Sequence, residues 1–294
     1  NLDYQSFKMK LVELVQKEIS ESVEISLERI PKNNGIYMEG IVFSRRGENT
    51  SPVIYVEEYY QYWKKGVSME KLVEKIIWNY SHFKPLAKMT DDFFKDYDKL
   101  KSRIFYKIIN YEKNREMLKK IPHRRILDLA MVFYYQIDEV EPPATILIQN
   151  SHLAMWDITE EELEENAVKY TCLCLPAEFL TMDQLAGIEE EDMDEMLSEE
   201  RCPMYILTNK ERRFGAGTVF YPGILKQAQK LLGDNFYILP SSVHECILIP
   251  EDGNYDQESL AEMVTEINVH HVDAREVLSD QAYYYLKKDG RIHI

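Results

Sequence analysis

The chain has 294 residues, 45% of them apolar and 12% aromatic, enough to bury a core as one large domain or two ordinary ones. No apolar run reaches the roughly 18 residues of a membrane-spanning helix, so no such helix is expected. A net charge of −16 disfavours nonspecific binding to a nucleic-acid backbone.

That charge is unevenly spread. From Asp157 to Glu200 sixteen acids stand against one base, Lys169, and from Lys95 to Arg125 eleven bases stand against four acids. A solvated surface is the plain reading of both stretches, and a partner of opposite charge is the functional one. The four cysteines, Cys172, Cys174, Cys202 and Cys246, show no CxxC spacing and read as reduced, buried thiols of a cytoplasmic protein. On a strand Cys172 and Cys174 would share a face, but no second pair completes a soft-metal site. The sequence begins at Asn1 rather than a methionine, and the absence of a secretory leader is the expectation.

In chain order, Tyr4, Phe7, Leu11, Leu14 and Val15 keep a helical spacing and predict an amphipathic helix. Val23, Ile25 and Leu27 alternate with polar residues, Lys32-Asn33-Asn34-Gly35 supplies a tight turn, and Ile36–Phe43 returns as a second strand. Pro52–Val56 reads as a third strand, and the aromatics Tyr59, Tyr60, Tyr62 and Trp63 as core packing. Met69 to Tyr80 carries the clearest helical stripe, with Ser68 placed to cap it. Phe93–Leu100 reads as helix, Arg103–Ile109 as strand and Glu112–Lys120 as a short helix. Ile126–Ile137, apolar almost throughout, predicts a central strand buried on both faces. Asp138–Pro143 reads as a seam, dividing the chain into regions 1–140 and 141–294, with one continuous domain as the alternative.

Beyond the seam a strand, polar turn, strand and helix recur three times. The units run from Thr145 through Leu153–Trp156 to a helix at Thr159, and from Tyr205 through Ala216–Tyr221 to a helix at Pro222. The last runs from Phe236 through Cys246–Ile249 to a helix near Gln257. Thr159-Glu160-Glu161-Glu162 fits a capping box, and Gly233 suits a left-handed helix end. Ile188–Glu200 is an acidic segment with apolar anchors Met193, Met196 and Leu197. Gln281–Ile294 predicts a hairpin turning at Asp289-Gly290. The fold class expected is α+β, mostly antiparallel sheet with helices packed on one face.

The densest run of reactive side chains is Ser241, Ser242, His244 and Glu245. A nucleophilic serine needs a base within reach and a third group to orient it. Strand alternation would place Ser242 and His244 together and Glu245 away from them, and no GxSxG elbow is present. His152 is the candidate to complete a hydrolase site with Ser242 and His244. A wider pocket is expected if three strand ends converge, bringing together Asn150, Ser151, His152, Thr208, Asn209, Ser241, Ser242 and His244. His270, His271 and Asp273 lack a familiar metal-ligand spacing. Gly215-Ala216-Gly217 reads as a strand bend rather than a phosphate cradle. No cofactor and no metal are expected.

The strings NSHLAMW, MYILTNKERRFGAG, VFYPGILKQAQKLLG and FYILPSSVHECILIP, with DLAMVFYYQI and IINYEKN upstream, resemble a bacterial family of unknown function associated with anaerobic gut Firmicutes and their mobile elements. YILPSSVHE and LTNK are the most specific strings. The resemblance implies an origin and transfers no activity, cofactor or catalytic residue. The leading expectation is a cytoplasmic, non-catalytic binding module with Asp157–Glu200 as the surface for a protein partner, no membrane contact and no nucleic acid. A Ser/His hydrolase and an acidic mimic of nucleic acid are the alternatives. A small-molecule ligand is not specified.

Overall fold

The computed structural model describes residues 2–20, 22–46, 51–82, 94–138, 144–181, 184 and 204–294. The chain forms two compact units, Asn1–Asp92 and Phe93–Ile294. Among the described residues no helix is long and apolar enough to cross a membrane.

The first unit opens with α1 (Tyr4–Glu18), capped by the Asp3 carboxylate, which accepts the Ser6 N–H at 2.7 Å. Strands β1 (Val23–Pro31) and β2 (Tyr37–Arg45) pair antiparallel along their whole length, from Val23↔Arg45 to Pro31↔Tyr37. Between them Asn34 and Gly35 take φ of 60° and 66°, which explains the Asn and Gly of that turn. Strand β3 (Val53–Tyr55) joins β2, and Val56 already begins α2 (Val56–Lys64), so the expected third strand is one residue shorter at each end. Helix α3 (Met69–His82) follows. Phe7, Leu11 and Val15 of α1 meet Ile41, Phe43, Val56, Tyr59, Leu72 and Ile76 in one core, against which Tyr60 and Trp63 pack. Each such side chain stabilises the unit by about 1.5–3 kcal/mol when fully buried.

In the second unit two short helices, α4 (Tyr97–Leu100) and α5 (Arg115–Leu118), flank β4 (Ile104–Asn110). Strands β5 (His123–Ile126), β6 (Leu129–Ile137) and β7 (Ala144–Leu147) complete its sheet. Strand β6 is buried at every position and is the centre. One edge of β6 takes β4, while β5 and β7 lie end to end along the other. The apolar run from Ile126 is therefore not one strand. Ile126 closes β5, Leu127 turns at φ 58°, and Asp128 precedes β6. Asp138–Pro143 joins two strands that pair from Tyr134↔Leu147 to Ile137↔Ala144, and residues 139–143 lie outside the described residues.

Helices α6 (Asn150–Trp156) and α7 (Glu160–Cys174) come next, and the Thr159 capping box forms as read, with both hydrogen bonds present. The Tyr106 N–H donates to Thr171 Oγ1 at 2.9 Å, tying α7 to β4. The larger sheet is antiparallel throughout, in the order β13-β12-β10-β11-β9-β8. Its strands are β8 (Ala177–Thr181), β9 (Tyr205–Asn209), β10 (Phe236–Leu239), β11 (Cys246–Pro250), β12 (Tyr283–Leu286) and β13 (Arg291–His293). Helix α8 (Ile224–Leu232) follows β9, and α9 (Gln257–His270) buries Leu260 and Val264 against Tyr237, Leu239 and Ile249. The architecture is α+β with antiparallel sheets.

Only the third of the three expected strand-turn-strand-helix units is built that way. Leu153–Trp156 is helical, because Leu153 and Trp156, three apart, bury on one face of α6. Ala216–Tyr221 falls largely in a 3-10 turn, Gly215–Phe220, closed by Thr218 Oγ1 donating to the Gly215 carbonyl at 2.7 Å. Short apolar runs carry no period long enough to separate the two outcomes. Pro222 lies before α8 rather than in its first turn, since Gly223 takes the cap position at φ 79°. Cys172 and Cys174 lie on α7, where residues two apart diverge, and Cys174 is exposed rather than buried. Cys202 and the segment Ile188–Glu200 lie outside the described residues.

Candidate functional site

The polar connection between β10 and β11 is held from two sides. On one, Leu278 N–H donates to Ser241 O at 2.9 Å, Ser279 N–H to Pro240 O at 3.0 Å, and Val243 N–H to Glu276 O at 2.9 Å. On the other, Ala216 N–H donates to Val243 O at 3.3 Å and Thr208 Oγ1 to His244 O at 2.7 Å. Gly215 makes this approach possible. A Cβ there would lie 2.6 Å from both Asn209 N and His244 O, and closer still to Thr208 Oγ1.

His244 is consequently a fixed, acceptor-type imidazole. Its Nδ1 accepts the Phe214 N–H at 3.1 Å, so the neutral ring carries its proton on Nε2, which lies 3.4 Å from Glu276 Oε1. The ring stacks on Phe214 at 5.7 Å between centroids and 17° between planes. Ser242 Oγ accepts the backbone N–H of His244 at 3.0 Å and has no hydrogen bond to its imidazole. Burial pushes the Glu245 carboxyl up, partly offset by His244 and the Ser242 hydroxyl. Alternation thus fails here, because 240–245 is a pinned loop and not a strand.

Beneath Phe214 lies Lys107 of β4, with its ammonium 4.2 Å from the ring centroid and 5.8 Å from that of Tyr134. Burial, with Arg213 nearby, pushes this ammonium down to about 8. Arg212 and Phe214, both non-glycine, take φ of 51° and 54°, in the region that L-residues disfavour. Asn209 holds the turn. Its Nδ2 donates to Arg213 O at 2.9 Å, and its Oδ1 accepts Glu211 N–H at 3.1 Å and Arg213 N–H at 3.3 Å.

A different kind of site lies in the first unit. Between α1 and α3 runs a groove of about 640 Å³, with Leu14, Val73, Ile77 and Trp78 as its apolar lining and Glu18, Glu70 and Glu74 along it. Trp78 is 59% exposed, and its ring stacks on His82 at 4.1 Å. Lys17, also at the groove, is engaged by Glu13 at 2.6 Å. Among the described residues Glu18, Glu70 and Glu74 have no ion pair. The groove therefore combines apolar surface with uncompensated negative charge.

A profile of a family of unknown function, DUF5688, matches residues 4–287. The chain belongs to that family. No curated protein and no solved structure matches it. In this DUF5688 chain, Thr208, Asn209, Ser241, Ser242 and His244 come together, and the first four are buried. Their polar atoms chiefly satisfy backbone groups, which makes the cluster a brace for the loop.

Asn150, Ser151 and His152 stand at the start of α6. His152 Nδ1 accepts the Gln149 N–H at 3.0 Å, its ring stacks on Trp156 at 5.5 Å and meets Phe94 edge-on at 5.2 Å. None of these contacts involves Ser242 or His244. Burial holds His152 below its ordinary value. The His270 and His271 rings are 6.4 Å apart and tilted, and Asp273 is taken by Arg275 at 2.7 Å. Neither Lys107 nor Trp78 stands out in the sequence as a site residue. A lysine inside the apolar strand Arg103–Ile109 was the available signal for the first. For the second, the signal was a tryptophan two positions off the buried stripe of α3.

Proposed function

We propose that this DUF5688 protein is a non-catalytic binding module whose α1/α3 groove receives an amphipathic helix with a cationic flank. The observation that carries the reading is the exposed Trp78 beside three carboxylates that no cation of the described residues neutralises. Apolar anchors spaced along one face of a helix fit a groove between two helices, and Lys or Arg beside them answers Glu18, Glu70 and Glu74. The excess of acid from Asp157 to Glu200 belongs to the other unit and is a separate feature. Part of that stretch is already used, since Glu162 caps α7 and Glu164 pairs with Arg124 at 3.0 Å. A hydrolase would need a base on Ser242, and the His244 imidazole accepts from Phe214 instead.

The test is anisotropy with a labelled synthetic helix bearing leucines on one face and lysines on its flanks, against a glutamate-flanked control. Trp78→Ala is expected to weaken binding by about 2 kcal/mol, roughly thirtyfold. Glu74→Lys is expected to weaken it further at low salt than at high salt. Equal binding of both peptides, or indifference to both substitutions, would overturn the groove. Removing Ile188–Glu200 leaves the affinity unchanged on this reading, whereas loss of binding would move the partner surface to that segment.

A further inference from the structure

A second cavity of the first unit, half-open and of about 290 Å³, is lined by the edge strand β3 together with α2 and α3. Tyr59 of α2 is only 3% exposed and reaches the cavity from the core. Its Oη accepts a hydrogen bond from Asn79 Nδ2 of α3 at 2.8 Å. A phenol that accepts one bond keeps its own O–H to donate, and the Asn79 carbonyl keeps its lone pairs. The pair therefore offers a donor and an acceptor side by side. The walls are set beforehand, since Lys32 donates to the Tyr55 hydroxyl with its ammonium 4.3 Å from that ring's centroid, and Phe43 stacks on Tyr80 at 4.5 Å. Strand β3 adds main-chain groups. Phe43 N–H donates to the Pro52 carbonyl at 3.0 Å and Ile54 stands opposite Ile41, so alternation turns the Val53 N–H and C=O away from β2. Glu58, which accepts the Tyr62 hydroxyl at 2.8 Å, is the one charged residue of the described lining and disfavours an anion.

We propose that this pocket binds a small, neutral, planar amide, whose N–H donates to Asn79 Oδ1 while its carbonyl accepts from the Tyr59 hydroxyl. A primary carboxamide or a lactam presents a donor and an acceptor on one edge, the complement of that pair. Burial of Tyr59 sharpens the choice. A ligand that fills the space without both groups leaves an enclosed hydrogen-bonding atom unpaired. The volume, at the lower end for small-molecule sites, suits a single ring bearing a carboxamide. The pocket shares no lining residue with the α1/α3 groove, so the proposal stands independently of the helix-binding reading.

The experiment is a titration of the full, isotope-labelled chain with benzamide, followed by nuclear magnetic resonance at the Val53 amide and the Asn79 side-chain amide. Benzamide is expected to shift both signals saturably with a Kd of roughly 1 mM, ordinary for a ligand of one ring. N,N-dimethylbenzamide has the carbonyl but no N–H, and benzoate is an anion. Each is expected to bind about tenfold more weakly. Tyr59→Phe keeps the ring in the core and Asn79→Leu keeps the size of the side chain. Each variant, shown folded by its melting, is expected to weaken benzamide about tenfold at the Val53 signal, and Asn79→Leu to abolish the preference over the dimethyl analogue. No saturable shift at Val53, equal binding of benzamide and its dimethyl analogue, full affinity in Tyr59→Phe, or a preference that survives Asn79→Leu would overturn the proposal.

Discussion

Gly215→Ala is the sharpest probe of the braced loop. Gly215 is not in a left-handed conformation, so alanine would ordinarily stabilise here by about 0.4–1 kcal/mol, through a less flexible unfolded chain. The structure predicts the opposite sign. The added methyl would meet Asn209 N and His244 O at 2.6 Å, and these are backbone atoms that cannot rotate away. Overpacking of this kind costs about 1–3 kcal/mol. Relief by displacement of the His244 carbonyl would release Thr208 Oγ1 and leave a buried group unpaired, for about 1–3 kcal/mol more. The net expectation is a loss of about 3 kcal/mol, or roughly 6–12 °C in the melting of a unit this size. Calorimetry gives the melting, and hydrogen exchange at the Phe214 amide, bonded to His244, localises the damage. An unchanged or raised melting temperature would refute the close approach.

Asp128→Ala leaves the hydroxyls of Ser279 and Tyr283 without their acceptor and is expected to cost about 1–3 kcal/mol, read as a lower urea midpoint. Leu11→Ala empties a fully buried position of the first unit and is expected to cost about 2–5 kcal/mol, followed by Trp63 fluorescence; a loss under about 1 kcal/mol would contradict the core as described. Glu245 has its carboxyl raised by burial, so its favourable contribution is complete below the ordinary 4.5 and is lost as pH rises through the raised value. Glu245→Gln is therefore expected to gain stability over the parent at neutral pH and to lose that advantage near pH 4, which urea titrations at several pH values would check; a difference independent of pH would count against the burial of the carboxyl.

The sequence was most readable where its period was long. Fifteen residues of α1 and the stripe of α3 repeat often enough to show which face is buried, and Thr159 with Glu162 names its own cap. The C-terminal hairpin was legible from Asp289-Gly290, with Gly290 at φ 67°. Legibility failed where tertiary contacts decide the backbone. Leu127 turns because Asp128 is anchored by Ser279 and Tyr283, residues far along the chain. At the candidate site, alternation separated Glu245 from Ser242 on the premise of a strand, and hydrogen bonds from both sides make that stretch a loop. His244 looked like a base because its type is visible and the partner of its Nδ1 is not. Lys107 was hidden for the same reason, since the ring above it comes from a turn more than a hundred residues later.

The Asp128 anchor also orders events in time. Its donors lie on Ser279 and on β12, the strand that pairs β10 with β13, so the smaller sheet cannot be clamped until the chain past Tyr283 is available. All core residues of the first unit precede Asp92. At a synthesis rate of about 5–20 residues per second, the central strand β6 waits roughly 7 to 30 s between its emergence and its last tether. During that interval the Asp128 anchor is incomplete, and chaperone engagement is expected to concentrate on nascent chains that end between Ile137 and Tyr283.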